Sequence, residues 1–104
     1  MAKYLLAYSG GSTPETEQEQ AAVMQAWTTW FGQLGAAVVD GGNPFGASTS
    51  IAADGSVGGR GPSGLTGYSI LRADSLDAAT ASAKDCPVLH GGGAVEVYEI
   101  VEVM

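Results

Sequence analysis

The sequence predicts an α+β fold: a ferredoxin-like plait with an antiparallel sheet, pairing as a dimeric α+β barrel. Three observations predict it. Strand–helix–strand units follow one another in the split order of that plait. Apolar spacing switches between a period of two and a period of three and four along the chain. Helices on one face leave the other face of such a sheet bare, and a chain of 104 residues has nothing left to cover it except a second copy of itself.

The elements follow in order. Lys3 to Tyr8 is short and apolar and reads as the first strand, ending at Ser9-Gly10-Gly11. Thr13-Pro14-Glu15 reads as a helix start: Thr13 can cap, Pro14 suits the first helical position, and Glu15, Glu17 and Glu19 lie where the helix dipole favours acids. Val23, Trp27, Trp30, Phe31 and Leu34 form one apolar stripe of an amphipathic helix, which Gly35 stops. Ala36 to Val39 is a second strand, closed by Asp40-Gly41-Gly42-Asn43-Pro44. Ala47 to Ala52 is a candidate third strand, and Asp54-Gly55 is a hairpin-type turn dipeptide. Ser56 to Ser63 is glycine-rich and aperiodic, hence a loop. Leu65 to Arg72 is a strand. Ser75 caps a helix running to about Lys84, with Leu76, Ala79 and Ala83 as its small buried face; Cys86-Pro87 stops it. His90-Gly91-Gly92-Gly93 is a loop, and Val95 to Val101 alternates as the last strand.

Residues 1–104 read as one domain. A composition that is 45% hydrophobic is enough for a core and argues against disorder. The formal charge of −7 leaves only Lys3, Arg60, Arg72 and Lys84 on the basic side. That balance excludes a nucleic-acid binder, which needs clustered cations to neutralise phosphates, and it disfavours an acidic membrane surface. No apolar run approaches the roughly 20 residues that span a bilayer, and the N-terminal stretch lacks the pattern of a signal peptide. The single cysteine, Cys86, permits no internal disulfide and fits a reducing, cytoplasmic setting.

The segment from Gly64-Leu65-Thr66-Gly67-Tyr68 through Ser75-Leu76-Asp77-Ala78-Ala79 to Val95-Glu96-Val97 resembles the YCII-related family, in its branch named for a DGPF motif. Cys86-Pro87 followed by His90-Gly91-Gly92, and Trp27 followed by Asp40-Gly41-Gly42, resemble that branch too. The resemblance covers nearly the whole chain and implies a dimeric α+β barrel. Two features depart from it. Gly59-Arg60-Gly61-Pro62-Ser63 stands where the DGPF element belongs, and Val23-Met24-Gln25-Ala26 holds no histidine where the family carries one paired with an aspartate.

His90 is the one histidine, set among glycines that let a ligand approach closely, and a group titrating near neutrality suits a general base. The plainer reading is an exposed loop residue. Asp40, in the turn after the second strand, is the candidate acidic partner, or else an ordinary turn former. Arg60, in the glycine-rich loop, suits an anionic group of a ligand. Tyr8 and Tyr68 can line a cavity or simply pack. Trp27, Trp30 and Phe31 read as helix–sheet packing. Cys86 and His90 alone cannot close a tetrahedral metal site, so no metal and no cofactor are expected. Cys86 at a helix end against the core reads as inert rather than nucleophilic. The expectation is a homodimer that binds a small organic molecule, with cofactor-free proton transfer by His90 oriented by Asp40 as its catalytic form. The alternative is a non-catalytic dimerisation or protein-interaction module.

Overall fold

The computed structural model describes residues 2–11 and 15–103. Among them are four strands and two helices: β1 (Ala2–Ser9), α1 (Glu17–Leu34), β2 (Val38–Asp40), β3 (Leu65–Ala73), α2 (Leu76–Ala83) and β4 (Ala94–Ile100). The strands form one antiparallel sheet in the order β2-β3-β1-β4. Hence β3 lies between β1 and β2, and β1 lies between β3 and β4. Each helix links two parallel strands across the strand that separates them.

Strand alternation places Tyr4, Leu6 and Tyr8 of β1 on the helix side, beside Leu71 and Ser69 of β3 and Val95 and Val97 of β4. Leu6, Leu71 and Cys86 are almost completely buried there. The opposite face carries Leu5, Ile70, Tyr98 and Ile100 under no helix. Tyr98 remains half exposed.

The two helices stand at different heights because their side chains differ. α2 buries Ala79 and Ala83, so its backbone comes close to β3 and β4. α1 buries only Trp30 and packs through Trp27, Phe31 and Leu34, whose bulk holds its backbone off the sheet. Ser75 caps α2 as expected, its hydroxyl accepting from the Ala78 N–H. Leu76, expected in the buried face, is half exposed, because it lies in the first turn, ahead of the part that packs.

Three other expectations change. The cap residue of α1 is Thr16, whose Oγ1 accepts from the Glu19 N–H at 3.0 Å; the expected Thr13-Pro14 start lies outside the described residues. β2 starts at Val38, because Gly35–Ala37 continue the helix as a 3-10 turn. Residues 47–52 do not form a third sheet strand. They form one side of a small separate hairpin, bridged at Ile51 and Val57 and closed by Ala53-Asp54-Gly55, where Gly55 takes φ +88°. This hairpin rises from a long excursion, residues 44–64, between β2 and β3. Thirteen of residues 44–64 are serine, glycine or alanine and offer too little apolar area to dock on the sheet, so the hairpin stands apart as an arm.

Candidate functional site

The height of α1 creates a cavity. Its volume is about 290 Å³, and it opens between α1, the turn after β2 and the start of β3. Tyr8, Trp27 and Phe31 contribute aromatic walls, with Val23 and Met24 at the α1 side and Gly42, Pro44 and Gly67 opposite. Trp27 meets Tyr8 edge-on, ring centres 5.3 Å apart at 65°. Val23 and Met24 are 41% and 67% exposed, so the mouth of the cavity is apolar and uncovered.

The glycine turn is what brings the wall in. Asp40 Oδ1 accepts from the Gly42 N–H at 2.8 Å, which folds the chain back after β2. Ser69 Oγ donates to the Gly41 carbonyl at 2.7 Å and ties the turn to β3. The other Asp40 oxygen accepts from Tyr68 Oη at 3.2 Å, and this bond to a carboxylate raises the Tyr68 pKa. Tyr68 also stacks on Phe45 at 5.8 Å. The carboxylate therefore organises the turn and the tyrosine together.

Tyr8 sits below this turn. Its hydroxyl is buried without a hydrogen-bond partner. Burial, with the Cys86 thiol alongside, pushes the phenol well above its ordinary value, and burial raises Cys86 as well. Because the folded Tyr8 pKa lies above the unfolded value of about 10, stability is fully present below that pH and is lost as the pH climbs toward the raised value. From this one group the slope approaches about 1.4 kcal/mol per pH unit. Urea unfolding across the alkaline range should show that decline in the wild type and a shallower one in Tyr8→Phe. Equal slopes would assign the alkaline loss to other groups.

The residues singled out from sequence divide between places. Tyr8 and Tyr68 both border the cavity. Arg60 borders a second, larger hollow of about 520 Å³ at the base of the arm, together with Phe45, Ser48 and Ser63; Thr66 borders both. That second hollow is bounded mainly by arm residues rather than by the core. Asp40 is engaged with Gly42 and Tyr68. His90 is exposed on the 3-10 segment Pro87–Gly91 and borders neither hollow. Asp40 ends β2 and His90 precedes β4, the two outer strands. Three strand spacings, about 14 Å, separate those strands, and no hydrogen bond joins the two side chains among the described residues. Nor does any group of three metal-ligating side chains converge there.

Sequence reasoning missed Val23, Met24, Asn43 and Pro44 as cavity residues. The signal for the first two was present: they continue the α1 stripe toward its N-terminal end. Trp27 and Phe31 were read as packing residues; they pack and line the cavity at once.

A scan against protein-family models finds no match, and a search of the curated proteins finds none either. The fold and the cavity define the class: an α+β protein whose described residues form a four-stranded antiparallel sheet, two helices on one face and an aromatic-walled cavity. No helix among the described residues is long and apolar enough to cross a membrane.

Proposed function

We propose that this chain is a ferredoxin-like plait that pairs through its bare sheet face as a dimeric α+β barrel, and that it binds a small, flat, largely apolar organic molecule. The cavity walled by Tyr8, Trp27 and Phe31 carries this reading. Its size suits a small ligand, and aromatic walls with a few polar groups at the rim are the usual composition of such a site. The strand order β2-β3-β1-β4 supports the plait. The face bearing Leu5, Ile70 and Ile100 supports the homodimer, as does the resemblance to the YCII-related family. A net charge of −7 favours neutral over anionic ligands.

Proton transfer by His90 and Asp40 is not part of this reading, because Asp40 is committed to Gly42 and Tyr68. Binding without a cofactor is the activity proposed. The experiment is a fluorescence titration with neutral aromatic fragments, since Trp27 lines the cavity. At least one fragment should quench the tryptophan emission saturably, and Val23→Arg at the mouth should abolish the quench with circular dichroism unchanged. Absence of any saturable quench, or the same quench in Val23→Arg, would reject the cavity as the binding site. In that event the non-catalytic interaction module is the better reading, with the same bare sheet face as its docking surface.

A further inference from the structure

We propose that residues 44–64 form an intersubunit arm: in the homodimer, the Ile51–Val57 tip of one copy closes the apolar cavity mouth of the other. The inference rests on the dimer reading above.

The tip of the arm is folded yet its apolar side chains stand in solvent. Ser50 and Ala52 exchange backbone hydrogen bonds with Gly59, Gly58 and Ser56 at 2.7–3.0 Å, so the tip is a formed hairpin. Ile51 and Val57 are bridged to one another, and each is 69% exposed. An isolated two-stranded hairpin is marginal in water and gains stability by placing an apolar side against another surface. The same chain leaves such a surface open at the cavity mouth, with Met24 and Val23 exposed on α1.

Geometry directs the arm to the other copy. Phe45, at its root, stacks on Tyr68, and the β1–β3 register places Tyr68 beside Ala7 on the bare face of the sheet. The root of the arm thus lies against the face on which a second copy docks. From Phe45 to Ala53 the extended chain reaches about 26 Å. Packed layers lie about 10 Å apart, so a tip starting at the interface has the reach to pass the second copy's sheet and arrive at its α1. The molecule's radius of gyration of 15.1 Å exceeds the roughly 13 Å of a compact domain of this length, as expected for a part that extends away from the body.

Area points the same way. Strands of 8, 3, 9 and 7 residues present a face of about 430 Å², whereas a stable interface takes about 800 Å² from each partner. An arm laid over the second copy supplies the difference. Because both copies carry an arm and a cavity mouth, the exchange is reciprocal and closes at two subunits. The ligand site of each subunit then includes Ile51 and Val57 of the second copy.

Disulfide trapping tests this. Ile51→Cys and Met24→Cys are prepared as separate chains, mixed and co-refolded, and oxidised; sedimentation of the wild type gives the mass. A bond between positions 51 and 24 in that mixture can only join two chains. Cys86, with 0% exposure, stays out of the reaction. The expected result is a dimeric mass and at least tenfold more linked dimer in the mixture than in either variant alone, with a yield independent of dilution. A dimeric mass with no such excess overturns the arm and leaves the homodimer standing. A link whose yield falls on dilution marks random collision and overturns the arm as well. A monomeric mass overturns both.

Discussion

Gly42→Ala is expected to destabilise the protein by about 3 kcal/mol and to collapse the cavity wall. Gly42 adopts φ +75°, a region that side chains disfavour. More decisively, a Cβ at this position would run into the Tyr68 carbonyl, whose carbon would lie only 2.6 Å away. Both colliding groups belong to the backbone, and β3 cannot retreat without breaking its pairing with β1. The chain must instead release the turn, losing the Asp40–Gly42 and Ser69–Gly41 bonds at the same time. Gly35→Ala supplies the contrast. Gly35 also has positive φ, +55°, but no atom lies within 4 Å of its missing Cβ. That substitution should cost less, about 1–2 kcal/mol, from backbone strain alone. Urea midpoints of the two variants decide the matter. Equal losses would mean that the turn is not held against β3 as described.

Trp30→Ala should cost about 4 kcal/mol, within the range for deleting a buried aromatic ring. Trp30 is 3% exposed and touches the cluster of Leu6, Leu71, Ala83 and Cys86. Its indole Nε1 donates to the Ser82 carbonyl at 3.3 Å, the bond that ties α1 to α2. It also braces Trp27, ring centres 5.7 Å apart at 77°, so its removal loosens the cavity as well as the core. Trp30→Phe retains most of the ring and loses the hydrogen bond, and should cost about 1 kcal/mol for that bond, plus a smaller packing loss. A domain of this size holds roughly 5–15 kcal/mol in all. The alanine variant should thus melt many degrees lower. A loss below about 1 kcal/mol in Trp30→Ala would show that α1 contributes little to the core.

Much of the fold was legible because its signals are local. The short apolar run of β1, the run of β3 between a glycine-rich loop and a helix cap, and the alternation in β4 mark strands within two residues of their bounds, and Ser75 announces α2. The aromatic stripe of α1 was visible, and Trp30 is its buried centre. What failed depends on contacts between distant parts of the chain. Residues 47–52 have strand-like composition, but their backbone hydrogen bonds go to residues 56–59 of their own hairpin and not to the sheet. His90 and Asp40 looked like partners because both sit beside glycines after regular elements. Only the strand order places them at opposite edges. The role of Gly42 was hidden for the same reason: Asp40-Gly41-Gly42 marks a turn, but nothing local says that Tyr68 of β3 lies against it.

The position of β1 at the centre of the sheet has a kinetic consequence. Ala2 pairs with Ala73, and Lys3 pairs with both Arg72 and Ile100. β1 therefore meets neither of its neighbours until β3 has followed it across the long segment between them, and meets the second only with β4. Loop closure over such separations must precede any reward in contacts, which slows folding by comparison with a helical chain of this length. The helices can form early, but the rate belongs to the docking of β1. Until then its row of Leu5, Leu6 and Ala7 has both edges open, and this is the stretch by which an unfinished chain would associate with its neighbours.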